Sequence, residues 1–125
     1  MKIYRIAKET TELDSLVAEL AQQHPGLVLY VSESDVKIFI HEIRLPKDMQ
    51  SHGIGSFVIT KLQEYAQRQN KPIVLSPEPE SRKKQALDRF YRSHGFIPNR
   101  GRNKDYSLSS FFGPTMYWSP QKQDG

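Results

Sequence analysis

The sequence predicts an α/β (α+β) domain in which about three main helices pack around a mixed central sheet. Three observations point there. Apolar residues recur at helical spacing in three separate segments, around 13–21, 54–66 and 87–91. Between them lie short runs rich in Val, Ile, Leu and Tyr, punctuated by Gly, Pro, Asn and Ser, as strands are. The chain has 125 residues, 37% hydrophobic and 26% charged, which is enough for one core but not two. Residues 1–120 are therefore expected to form one domain, with 121–125 a frayed tail.

Each element has its own justification. Ile3 to Ile6 reads as a short first strand. Thr11 opens a helix with Asp14 three residues on, a capping-box variant; Leu13, Leu16, Val17, Leu20 and Ala21 share one face, and His24-Pro25-Gly26 stops it. Leu27–Ser32 and Val36–Leu45 form two strands about a Glu33-Ser34-Asp35 turn. In the second of these, Val36, Ile38 and Ile40 are apolar at even positions, whereas Ile43 and Leu45 are apolar at odd ones. A strand changes its apolar face only through a bulge or through burial on both sides, so a slip is expected at His41-Glu42.

After Pro46 comes a polar loop, then a helix over about 53–70 with Ile54, Phe57, Val58, Leu62, Tyr65 and Ala66 inward. Pro72–Leu75 is wholly apolar, the pattern of a strand covered on both faces. The prolines of Ser76-Pro77-Glu78-Pro79-Glu80 exclude regular structure there. A third helix runs from about Ser81 to His94 and ends at Gly95. His94, close to that end, suits the negative pole of the helix dipole. Phe96-Ile97 starts a strand, Pro98–Ser110 is a long polar loop, and Thr115–Trp118 is the last strand.

Composition excludes several chemistries. With no cysteine there is no disulfide scaffold, thiolate nucleophile or thiolate metal site. The four histidines show no metal-ligand spacing, so no metal is expected. There is no run of about 18 apolar residues, and Met1-Lys2-Ile3-Tyr4-Arg5 is too polar for a signal peptide. These features predict a cytoplasmic protein without a membrane span. The net charge of +4 is uneven: residues 82–104 hold eight basic side chains (Arg82, Lys83, Lys84, Arg89, Arg92, Arg100, Arg102, Lys104) against Asp88 alone. Such a stretch is either a solvated face or a site for nucleic acid, a phosphorylated cofactor or an acidic substrate. One reading is thus a nucleic-acid-binding module, with Tyr91 and Tyr106 as stacking platforms.

The segment Gln50-Ser51-His52-Gly53-Ile54-Gly55-Ser56 leads from a strand into a helix. Two glycines one residue apart let backbone approach a ligand closely, and N–H groups at a helix start favour an anion. It fits neither the dinucleotide glycine fingerprint nor the Walker pattern. Some forty residues later comes Phe90-Tyr91-Arg92-Ser93-His94-Gly95-Phe96. Together the two segments resemble the GNAT (GCN5-related) family of acetyl-CoA-dependent N-acetyltransferases. The family's pyrophosphate loop, Gln/Arg-x-x-Gly-x-Gly/Ala, is met at Gln50, Gly53 and Gly55, and its Phe-Tyr-x-x-x-Gly-Phe at 90–96. The resemblance extends over about 36–118. It departs at Lys84, where relatives often carry an Asn.

The resemblance implies a compact GNAT-like domain whose bulged strand splays from its parallel neighbour and admits the pantetheine arm of acetyl-CoA, the cosubstrate. Backbone around Ile43 to Leu45 would hold the thioester carbonyl, and N–H groups of His52, Gly53, Ile54, Gly55 and Ser56 the pyrophosphate. Lys83, Lys84 and Arg89 would serve the cofactor's phosphates. Acetyl transfer to a primary amine needs a proton acceptor for the amine, donors for the carbonyl oxygen and a proton for the departing thiolate. The resemblance makes Tyr91 the candidate acid. His41 is the candidate base, with Glu42, Glu78 and Glu80 as rivals. The acceptor is an amine-bearing small molecule, a protein or an aminoacyl-tRNA, and a non-catalytic CoA-binding role stays open. Phe111, Phe112, Tyr117 and Trp118 make an aromatic end suited to a homodimer.

Overall fold

In the computed structural model, Thr11 caps α1 (Glu12–Gln23). Its hydroxyl accepts from the Asp14 N–H at 3.0 Å, and the Asp14 carboxylate accepts from the Thr11 N–H at 3.3 Å. Both halves of the predicted capping box are thus present, worth about 1 kcal/mol for such a cap. The structure describes residues 11–50, 52–77, 84–101, 104–108 and 115–121, and of Lys84 the backbone only. The expected strand at Ile3–Ile6, together with Ser51, Glu78, Glu80, Arg82, Lys83, Arg102, Phe111 and Phe112, lies outside them.

The remaining elements are β1 (Val28–Glu33), β2 (Ile38–Arg44), α2 (Ile54–Gln69), β3 (Ile73–Leu75), α3 (Lys84–Ser93), β4 (Ile97–Pro98) and β5 (Met116–Trp118). The strands make one mixed sheet in the order β1-β2-β3-β5-β4. Among the described strands only β2 and β3 run parallel, joined through α2; the other neighbours are antiparallel. Ile38 and Ile40 of β2, Ile73 and Leu75 of β3 and Met116 of β5 form one cluster with Leu13, Leu20, Val58, Leu62, Tyr65 and Tyr91. All three helices therefore share a core with the sheet. Val74, turned to the other face by strand alternation, is equally buried, so β3 is covered on both sides as its apolar run predicts. No helix among the described residues is long and apolar enough to cross a membrane.

The slip expected at His41-Glu42 is real. Tyr30 pairs with Glu42, but Val31 pairs with Ile40, leaving His41 as the extra residue on β2. Ile40 stays in the core, and Ile43 packs against it from the shifted phase.

Several expectations need correction. The hairpin turn begins one residue later than expected, because the Ser34 hydroxyl accepts from the N–H groups of Val36 and Lys37. Val36 is therefore outside the strand and 62% exposed. On α1, Ala21 is exposed. On α2, Phe57 is exposed while Ile59 is fully buried, since the core wraps further round the helix than a narrow stripe allows. Pro98 is paired rather than looped, which its place on an edge strand permits. Gln121 is held by Gln67 through bonds of 2.8 Å in both directions, so the tail is not frayed at its first residue. Trp118 packs on the core, leaving less of the aromatic end for a second chain.

Candidate active site

The pairing of β2 with β3 covers Ile38 to Ile40 against Ile73 to Leu75 and then stops. Four further residues of β2, His41 to Arg44, continue along β1 without a partner on the β3 side. The bulge at His41 falls where this pairing ends, and a bulge adds local twist and bend. The result is a groove of about 210 Å³ lined by residues 40–44 of β2, Leu75, Ser76 and Pro77 beyond β3, and Leu87 and Tyr91 of α3.

Tyr91 stands in this groove with only 7% of its surface exposed. Its ring makes edge contacts with Phe90 and Phe96, at 5.3 and 5.8 Å between centroids. The Schellman bonds of Gly95 N–H to Arg92 O and Phe96 N–H to Tyr91 O, both 3.0 Å, fold Phe96 back beneath it. Its hydroxyl makes no hydrogen bond among the described residues. Burial raises its pKa above the ordinary 10, so at neutral pH the hydroxyl keeps its proton. A buried ring cannot serve as a stacking platform, which removes Tyr91 from the nucleic-acid reading. Tyr106, 78% exposed, keeps that geometry, with Lys104 Nζ 5.2 Å from its ring centroid.

His41 is exposed. Its ring stacks on Phe39 at 4.8 Å, and Nε2 shares a 2.7 Å hydrogen bond with Ser32 Oγ. In the tautomer whose Nε2–H donates to Ser32 Oγ, the lone pair of the ring lies on Nδ1. Glu42 is 3.4 Å from Arg44.

Gly53 precedes α2 with φ +79°, a left-handed conformation that costs other residues about 1–2 kcal/mol. Nothing lies within 4 Å of where its β-carbon would be, so the turn is open to an incoming group. The first main-chain bond of α2 is Phe57 N–H to Gly53 O, which leaves the N–H groups of Ile54, Gly55 and Ser56 without helix partners. Gln50 donates from Nε2 to the Leu45 carbonyl at 3.1 Å, pinning the loop between β2 and α2. Gly55 has a second use: a β-carbon there would lie 3.3 Å from Phe90 Cζ. Its smallness lets α3 approach the first turn of α2.

His94 bridges the same helices. Its Nε2 lies 3.1 Å from Ser56 Oγ, and its carbonyl accepts from Gln63 Nε2 at 2.7 Å. Burial lowers its pKa, so the neutral form is favoured, not the cation that a helix-dipole role predicts. Arg89, expected at the cofactor's phosphates, faces away from the groove and lines a second cavity on the far flank of α3. Ser76 was missed, having been read only as the start of a proline-rich loop. Its Oγ is buried without a partner and it lines the groove. A lone hydroxyl between a wholly apolar strand and a proline was the available signal. Among the described residues no three His, Asp or Glu side chains gather as a metal ion requires.

The fold built around this groove is that of the GNAT acetyltransferases. The anti-CRISPR protein AcrVA5 is 25% identical over 75% of this chain and 90% of its own, with a TM-score of 0.55. Ard1 from Thermoplasma volcanium is 16% identical over 96% of this chain and 88% of its own, with a TM-score of 0.54. A GNAT-family acetyltransferase from Staphylococcus aureus Mu50 is 16% identical, with a TM-score of 0.55 over 76% of this chain and 58% of its own. No protein-family model matches the sequence, and no curated protein matches it.

Proposed function

We propose that the protein transfers an acetyl group from acetyl-CoA to a primary amine by direct attack. The observation that carries this is the parting of the parallel pair beyond Ile40 and Leu75, directly ahead of the left-handed turn at Gly53. Two features of the chain suit acetyl-CoA. The space at Gly53 and the unpartnered N–H groups of Ile54, Gly55 and Ser56 suit a pyrophosphate. The orphaned Ser76 hydroxyl suits a polar group of the pantetheine arm within the groove.

Each residue then has a task. Main-chain groups from Ile43 to Leu45 hold the thioester carbonyl, where donors strengthen as the oxygen becomes anionic. The amine nitrogen bonds to the carbonyl carbon, and its surplus proton passes to Nδ1 of His41, directly or through water. The carbon–sulfur bond breaks, and the Tyr91 hydroxyl gives its proton to the departing thiolate. Raised by burial, that hydroxyl is fully protonated beforehand. No acyl-enzyme is involved. Lys84 opens α3 and remains the proposed phosphate contact from that helix.

Calorimetry with acetyl-CoA on the wild type and on Gly53→Glu tests the reading. The added carboxylate enters open space where the pyrophosphate is placed, so affinity should fall at least a hundredfold. Gly53→Ala carries the same backbone strain without the charge and should bind within about tenfold of the wild type. Equal affinity in all three would remove this turn from the site.

A further inference from the structure

Helix α3 has a second hollow on the flank opposite the groove, and nothing in the transfer chemistry uses it. This cavity, about 550 Å³, is lined among others by Arg89, Arg92, Arg100, Gln85 and Asn99 over a floor including Met116. Pro77 lines both hollows, so the cavity adjoins the mouth of the groove. Its volume falls within the range of about 300–1,000 Å³ usual for small-molecule sites.

The cavity is strongly cationic. Arg92 is ion-paired with Asp88 at 2.7 Å, which neutralises both. Arg89 and Arg100 have no ion pair among the described residues, so two guanidinium charges face the hollow uncompensated. The wall that carries Arg100 is built firmly. Asn99 is only 5% exposed; its Nδ2 donates to Asp105 O and its Oδ1 accepts from Asp105 N–H, both at 2.8 Å. Its own N–H donates to Thr115 O at 2.9 Å, and Thr115 Oγ1 donates to Leu108 O at 2.9 Å. These bonds tie Asn99, Asp105 and Leu108 to one another and to Thr115, just ahead of β5. Arg100 follows directly and is presented to the cavity.

We infer that this cavity takes a phosphate group of the acceptor, so the preferred substrate is a primary amine that also carries a phosphate ester. Guanidinium groups match phosphate oxygens through paired charge-assisted hydrogen bonds, and the apolar floor suits the organic part. That the phosphate belongs to an acceptor rests on the acetyl-transfer reading; the anion site itself does not.

Three measurements separate the two. Calorimetry with acetyl-CoA reads the groove. Inorganic phosphate titrated into CoA-saturated protein, followed by thermal shift, reads the cavity; a saturable rise in melting temperature is expected. Arg100→Gln should weaken phosphate about tenfold while leaving acetyl-CoA affinity within twofold. Arg89→Gln decides between its two homes, and the cavity predicts a loss for phosphate and none for acetyl-CoA. Finally, acetylation of O-phosphoethanolamine should exceed that of ethanolamine at least tenfold in kcat/KM, through KM, with the preference lost in Arg100→Gln.

Phosphate stabilisation that vanishes once CoA is bound, or persists unchanged in both variants, overturns the proposal. So does binding of single-stranded oligonucleotide alone, falling steeply with salt, which would make this face a nucleic-acid surface. Phosphate binding without acetyl-CoA binding would instead overturn the transfer reading and leave an anion site without an acceptor.

Discussion

The two flanks of α3 differ in how they would hold a ligand. On the groove side Ile40, Ile43, Leu75, Pro77 and Leu87 line the inner wall around one buried ionisable hydroxyl, Tyr91, while the polar and charged side chains of His41, Glu42 and Arg44 lie along the β2 edge. On the cavity side stand exposed arginines, Arg89 and Arg92 on α3 and Arg100 on a loop fixed by the amide of Asn99. A low-dielectric wall with few polar groups makes each of them count during a reaction. A ring of solvated guanidiniums is poor at that, because water screens it, but it selects and orients anions. One ten-residue helix thus separates a place suited to bond-making from a place suited to recognition.

The largest expected effect breaks that contrast on the groove side. Tyr91→Phe keeps the ring contacts with Phe90 and Phe96 and removes only a hydroxyl that has no protein partner among the described residues. The fold should barely change in stability. The maximal acetylation rate should fall by about 10²–10³, with acetyl-CoA affinity retained, because general acid catalysis contributes about 10²–10⁴. Near-full activity in this variant would give the thiolate's proton to water and leave Tyr91 a packing residue.

Next in size is a change that asks whether Gly55 belongs to the ligand or to the helices. Gly55→Leu drives a side chain into Phe90, whose Cζ already stands 3.3 Å from the β-carbon position. Overpacking of this kind costs about 1–3 kcal/mol. Chemical denaturation should show that loss, and adding Phe90→Ala should recover much of it. If the pair shows no coupling and only acetyl-CoA affinity suffers, the glycine serves the pyrophosphate alone.

Legibility followed period and local chemistry. The bulge at His41 was readable because a two-residue repeat changed phase, and only a few backbone solutions allow that. The caps at Thr11 and Gly95 were readable for the same reason: few residue types satisfy the loose N–H and C=O groups of a helix end. The placements of Arg89, His94 and Ser76 were not. Each depends on which way a side chain faces once α3 lies against the sheet, and a charge count cannot resolve the two flanks of one helix. His94 shows this best. Its position near a helix end suggested a cation, whereas contact with Ser56, 38 residues away, buries it.

A smaller effect concerns the proposed base at the groove's edge. His41→Ala should flatten the acidic limb of the rate–pH profile, with part of the loss recovered at high pH where the amine is already neutral. Ser32→Ala leaves the imidazole on Phe39 but frees Nε2, so the limb should survive with a loss of only a few-fold. An unchanged profile in His41→Ala would move the base to a carboxylate, with Glu42 the first to substitute.

The smallest effect lies in stability, at the joint between α2 and α3. Burial lowers the pKa of His94 in the folded state below the 6.5 of an unperturbed histidine. Above about pH 6.5 the imidazole is neutral in both folded and unfolded chains, and its contribution is fully present. As pH falls below that, the unfolded chain binds the proton first, so stability declines until the folded-state pKa is passed. The slope cannot exceed about 1.4 kcal/mol per pH unit for one proton. Urea unfolding at pH 7 and pH 5.5 should therefore show a loss in the wild type to which His94 contributes less than about 2 kcal/mol. His94→Gln still offers Ser56 a polar partner but cannot titrate, so its loss over the same interval should be smaller. Equal losses would mean that His94 is not held neutral. In that case the contact with Ser56 would tolerate the cation, and the joint beside the pyrophosphate turn would carry a positive charge after all.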